Sequence, residues 1–94
     1  MRSLVWGSSF VRASKRLIRK RPDLKEDLEQ TLRLLGEAPF SPVLETHKLK
    51  GRLAGSWSCS FRYGYRIVFD FVESEAGGEE DILLMDIGTH DEVY

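Results

Sequence analysis

"SWSCSFRYGYRIVFDFV" (residues 56–72) decides the fold. In its first half Trp57, Cys59 and Phe61 alternate with Ser56, Ser58, Ser60 and Arg62. In its second half Tyr65, Ile67, Phe69 and Phe71 alternate with Arg66, Val68, Asp70 and Val72. Successive side chains of an extended chain point to opposite sides, so a period of two marks strands with one buried face. Gly64 between two such runs makes them a hairpin. For both aromatic rows to enter one core, Phe61 and Ile67 must share a side. A three-residue loop of Tyr63, Gly64 and Tyr65 satisfies this by pairing Arg62 with Arg66. Both arginines then project from the other face beside Ser58 and Ser60, a cationic, hydroxyl-bearing floor suited to a phosphate.

The aromatic face needs a cover, and the first third of the chain supplies it. After a short β-prone piece, "RSLVW" (2–6), comes Gly7, with Ser8 or Ser9 as candidate cap of a helix. In "FVRASKRLIRKR" (10–21) Phe10, Val11, Ser14, Leu17 and Ile18 share a side, and Pro22 ends the run. A second helix is expected in "DLKEDLEQTLRLLG" (23–36), where Leu24, Leu28, Leu32 and Leu35 recur every three or four residues. Asp23, Glu26 and Asp27 suit its first turn and Gly36 its end. "ILLMDI" (82–87) is a third long strand after the acidic loop "ESEAGGEED" (73–81). The order β-α-α-β-β-β predicts an α+β fold, with a two-helix hairpin on one face of an antiparallel sheet. No repeat or composition break divides residues 1–94, so one domain is expected.

Composition bounds the chemistry. No apolar run reaches the ~18 residues of a membrane span, and the N-terminus lacks a signal-peptide core, so the cytoplasm is expected. Cys59 is the sole cysteine, which excludes internal disulfides and cysteine-rich metal sites. No metal-ligand cluster, phosphate-binding glycine loop or nucleophile elbow is present, and no cofactor, metal or membrane contact is expected. The net charge is only −1, yet residues 1–69 carry +8 and residues 70–94 carry −9. A basic segment of this kind suits a polyanionic partner, although two solvated faces of opposite sign give the same numbers.

The candidates for acid–base work lie outside the regular elements. His47 opens the basic stretch "HKLKGR", with Lys48, Lys50 and Arg52, and His90 follows the last strand. Imidazole both gives and takes protons near neutrality. Each histidine reads equally well as an exposed loop residue, and the three cations as ordinary surface charge.

Three segments together carry a family resemblance: "HKLKGRLAGSW" (47–57), "RYGYRIVFDF" (62–71) and "ILLMDIGTHDEVY" (82–94). The ordered string resembles the RelE/ParE superfamily of type II toxin–antitoxin toxins, and its two histidines resemble the RelE/YafQ-like mRNA interferase branch. The two-helix N-terminal half fits in length and order, so the resemblance spans essentially the whole chain. It implies an endoribonuclease that enters the ribosomal A site, cleaves mRNA and is silenced by a cognate antitoxin. On the family pattern Arg66 would hold the scissile phosphate and His90 would be a catalytic residue. Tyr94 would stand near the attacking hydroxyl or the bases, and His47 would join the acid–base set. Arg62, by its face and neighbourhood, and Lys48, Lys50 and Arg52, in the basic linker near the family's basic positions, would contact RNA phosphates. The same resemblance admits a ParE-like gyrase-inhibiting toxin, or a catalytically silent relative that binds only an antitoxin.

Overall fold

The computed structural model describes residues 1–62 and 64–94. Strand β1 (Leu4–Trp6) leads into helix α1 (Ser8–Lys20), and a 3-10 turn at Pro22–Leu24 reverses the chain into α2 (Lys25–Glu37). A two-residue strand β2 (His47–Lys48) and a 3-10 turn at Gly51–Leu53 precede β3 (Trp57–Phe61), β4 (Tyr65–Val72) and β5 (Asp81–Thr89). The short helix α3 (His90–Val93) follows directly. The α+β class and the order of the expected elements hold.

The sheet is mixed and five-stranded, in the order β1-β5-β4-β3-β2, where an all-antiparallel sheet was expected. β1 pairs parallel to β5, with Leu4 opposite Ile82 and Trp6 opposite Leu84; the other neighbours are antiparallel. The hairpin formed by α1 and α2 carries the chain from β1 at one edge of the sheet to β2 at the other, and β3, β4 and β5 then return strand by strand to β1. Close approach at the start of the hairpin depends on Gly7: its N–H donates to the Leu84 carbonyl at 3.0 Å, and a Cβ on it would stand 2.5 Å from that oxygen.

The core lies between the hairpin and the sheet. Phe10, Leu24, Leu28, Leu32 and Leu35 meet Cys59, Phe61, Ile67, Phe69, Ile82, Leu84 and Ile87. Apolar area buried on this scale, at ~25 cal/mol per Å2, is the dominant favourable contribution to folding. Both aromatic rows face the core as expected, with Cys59 opposite Ile67.

The register differs from expectation by two residues, which keeps every strand side chain on its expected face. Phe61 pairs with Tyr65 and Ser60 with Arg66, so Tyr65, expected in the loop, is the first residue of β4. Gly64, at φ +81°, occupies the last place of the turn, where a left-handed backbone suits glycine. Tyr63, part of the expected loop, lies outside the described residues. The consequence for Arg62 is large. It takes a left-handed φ of +52° and forms an ion pair with Asp27 of α2 instead of facing Arg66.

β5 contains the second irregularity. Val68 pairs with Asp86 but Phe69 with Leu84, so Met85 is an extra residue on β5, a bulge. Strict alternation would set Ile87 against Ile82 and Leu84. The bulge returns all three to the core and leaves Asp86 and Gly88 on the face away from the hairpin.

Candidate active site

The face opposite the hairpin carries Arg66, Val68 and Gly88, joined by Ser58 and Ser60 from β3 and His47 from β2. Part of it is covered by α3. That short helix is nucleated by a capping box: Glu92 N–H donates to Thr89 Oγ1 at 3.4 Å, and Thr89 N–H to Glu92 Oε1 at 2.8 Å. The Thr89 main-chain and side-chain bonds, with Lys20 and Arg16 of α1 more weakly, hold the Glu92 carboxyl below its usual range. Beneath the helix Gly88 presents no side chain, so Val93 packs down and is buried.

Tyr94 crosses the face at the end of this helix. Its hydroxyl donates to the Ser58 hydroxyl, its main-chain oxygen accepts from the Arg52 guanidinium at 2.8 Å, and its ring meets His90 edge-on at 4.5 Å between centroids. Beside it opens a cleft of about 240 Å3 lined by Leu49, Lys50, Arg52, Leu53, His90 and Tyr94. Two cations, an imidazole and a phenol therefore share one concave surface. Leu49 and Leu53 form its apolar walls.

His47 does not line the cleft but shares its face, because it is the register partner of Ser58, on which the Tyr94 hydroxyl ends. Its Nδ1–H donates to the Glu45 carbonyl at 3.0 Å. A neutral ring in that tautomer carries its lone pair on Nε2, which suits a base. His90 is solvent-facing, with its Nδ1 3.6 Å from an Asp91 oxygen, and its side chain is 68% exposed.

Arg66 shares the face but not the cleft lining. It lies between Ser60 and Gly88, and its guanidinium donates to the Tyr65 carbonyl at 2.9 Å. Lys48 and Arg62 are elsewhere. Adjacent strand residues point oppositely, so Lys48 turns toward the hairpin side, with Nζ 5.7 Å from the Trp57 ring centroid. Arg62 lies in a separate cleft where Asp27, Gln30, Glu45 and Ser60 meet the apolar Leu34, Val43 and Leu44. The expected two-arginine floor is therefore replaced by a single arginine, Arg66, flanked by Ser60, whose hydroxyl donates to Glu45 at 2.9 Å.

Ser58 is the site residue whose role the sequence reading missed. It was expected as a hydroxyl of the phosphate floor; its contact with Tyr94, 36 residues away, was not. The acidic loop joins the Val72 and Asp81 ends of β4 and β5, whereas the cleft lies beyond Thr89, at the opposite end of β5. A strand of this length spans roughly 25–30 Å, which removes most of the negative charge from the cleft. Arg2 ties the loop down through the Glu80 carbonyl at 2.8 Å and the Glu79 carboxylate at 3.5 Å.

Among the described residues, no group of three or more His, Cys, Asp or Glu side chains is arranged to hold a metal ion, and no helix is long and apolar enough to cross a membrane.

No protein-family model and no curated protein matches the chain in sequence. Solved structures do match. A YoeB/ParE toxin from Agrobacterium tumefaciens gives a TM-score of 0.75 at 25% sequence identity, over 94% of this chain and 98% of that one. YafQ from E. coli strain BL21(DE3) gives 0.78 at 17% identity, over 100% and 99% of the two chains. A chain of the E. coli DinJ–YafQ toxin–antitoxin complex gives 0.76 at 18% identity, over 99% and 97%.

Proposed function

The chain takes its place structurally among the RelE/ParE-like toxins, and from that premise we propose that it is the toxin of a type II toxin–antitoxin pair that cuts mRNA on the ribosome. The observation that carries the reading is the cleft in which His90, Tyr94, Lys50 and Arg52 meet, with His47 and Arg66 on the same side of the sheet. A gyrase-binding toxin has no need of paired acid–base groups beside such a cleft.

RNA carries its own nucleophile, so the protein needs only to align it, move two protons and stabilise charge. His47, with Nε2 free as a base, takes the proton of the 2′-hydroxyl as that oxygen attacks phosphorus. His90 protonates the departing 5′-oxygen. Arg66 compensates the added negative charge on the phosphorane-like transition state, where preorganised donors contribute most. Lys50 and Arg52 hold flanking phosphates, and Tyr94 lies against the reacting nucleotide. The products are a 2′,3′-cyclic phosphate and a 5′-hydroxyl, and no metal takes part. A cognate antitoxin, as in the DinJ–YafQ toxin–antitoxin complex, binds the toxin and silences it.

Mapping mRNA ends after induction, and in a purified translation mixture with and without ribosomes, tests this. Cleavage within translated codons, dependent on ribosomes and leaving cyclic phosphate ends, is expected. Growth arrest with intact mRNA and a DNA-damage response would replace it with gyrase inhibition.

A further inference from the structure

The Tyr94 phenol ends on a serine that is completely buried: Ser58 is 0% exposed. A hydroxyl removed from water costs free energy unless it is hydrogen-bonded, and its side-chain partner here is the Tyr94 hydroxyl. The backbone beneath it is fixed from both sides, because Ser58 pairs with His47 on β2 and with Val68 on β4. Its side chain has one heavy-atom dihedral to set, so the oxygen occupies a well-defined point on the sheet. Arg52 fixes the other end of Tyr94 at its main-chain oxygen, and the His90 ring packs edge-on against the phenol ring.

We propose that Ser58 is a positioning residue of the cleft, whose buried hydroxyl sets where the Tyr94 phenol oxygen stands beside His47. This rests on the nuclease reading above for its catalytic consequence, although the contact itself does not. Directly opposed side chains on antiparallel strands are roughly 5 Å apart at Cβ, so the bond to Ser58 draws the phenol oxygen to the neighbourhood of the His47 ring. A serine oxygen both accepts and donates. The link therefore survives if Tyr94 exchanges its role from donor to acceptor when substrate arrives. An apolar side chain at residue 58 would free the ring to swing within the cleft, and displacements of about 1 Å in such sites cost up to ~100-fold in rate.

The variants Ser58→Thr and Ser58→Val have nearly the same shape and differ by the hydroxyl. On programmed ribosomes S58V is expected to lower kcat about tenfold or more relative to S58T, with KM unchanged. The double variant S58V/Tyr94→Phe should be no worse than Tyr94→Phe alone. Equal kcat values for S58T and S58V, or a loss confined to KM, overturn the proposal. A second measurement needs no activity: in protein labelled with 13Cζ-tyrosine, the Tyr94 resonance, assigned by its disappearance in Tyr94→Phe, should move in S58V and hold in S58T. A resonance unmoved in S58V overturns the positioning role however the cleavage assay falls. Failure of the wild type to cut mRNA, with the resonance behaving as expected, removes the nuclease reading and leaves the contact standing.

Discussion

Gly88 and Val93 are in contact across the start of α3: a Cβ on Gly88 would lie 3.3 Å from Val93 Cγ1, and closer still, at 3.1 and 3.0 Å, to Glu92 Cβ and Oε1. The glycine is therefore required by space, since its φ lies outside the left-handed region. Gly88→Val is expected to lift α3 from the sheet and destabilise the protein by about 1–3 kcal/mol, the usual cost of overpacking. Cleavage should fall further than stability explains, because His90 and Tyr94 leave their places together. Urea unfolding and cleavage rates on the same preparation check this; full activity in a stable variant would detach α3 from the chemistry.

His90→Ala removes the proposed acid and should slow cleavage by roughly a hundredfold or more. Stability should change little, because the ring is largely solvated. Arg66→Ala should cost on the order of 100- to 1,000-fold in kcat, as loss of a transition-state donor does. Arg62→Ala should leave kcat near wild type, since Arg62 is engaged with Asp27 on the other side of the sheet. Steady-state kinetics of the three variants separate the roles, and an Arg62 effect as large as that of Arg66 would restore the two-arginine floor.

Much of this arrangement was legible in the sequence where periodicity spoke. Alternation over 57–61 and 65–72 assigned β3, β4 and their core face correctly, because one buried side forces a period of two. The same signal could not fix the turn: shifting the pairing by two residues kept both aromatic rows inward but moved Arg62 out of the ladder to Asp27. The β5 bulge at Met85 was invisible because "ILLMDI" is apolar almost throughout, so no alternation existed to be broken. β2 is two residues long, too short to show any period. Its assignment matters, since it turns His47 toward the face that carries Ser58 and Lys48 toward the hairpin side. Tyr94 and Ser58 meet only through tertiary folding, and no local pattern encodes that contact.

The capping box gives α3 a defined acid sensitivity. The folded-state pKa of Glu92 lies below its unfolded value, held down by the Thr89 bonds. The stability it contributes is therefore present above the unfolded value, about 4.3, and is lost as pH falls through the lower folded value. As pH falls through that lowered value the Thr89 N–H should lose its carboxylate acceptor, and α3 should begin to detach while the sheet persists. The Thr89 amide shift followed by NMR from pH 7 to pH 3 checks this, with Glu92→Gln expected to flatten the titration. A transition in α3 that coincides with global unfolding, or survives unchanged in Glu92→Gln, would place its cause elsewhere.

Cys59 reports on the core directly beneath Arg66. It is fully buried opposite Ile67, and burial pushes its thiol up to about 12, a rise the nearby Arg66 charge only partly opposes. Only the thiolate reacts with alkylating agents, so at pH 8 the native protein should resist iodoacetamide almost completely. Labelling should then proceed only through opening of the sheet and measure that opening free energy. The raised value also has a stability consequence of definite sign: its contribution is fully present below the unfolded value of about 8.5 and is lost as pH rises from there through about 12. Mass-spectrometric labelling rates across a urea series check the first point, and urea midpoints from pH 7 to pH 10, compared with Cys59→Ala, check the second. Labelling at the rate of a free cysteine in the absence of urea would mean that β3 opens locally, and with it the buried hydroxyl of Ser58.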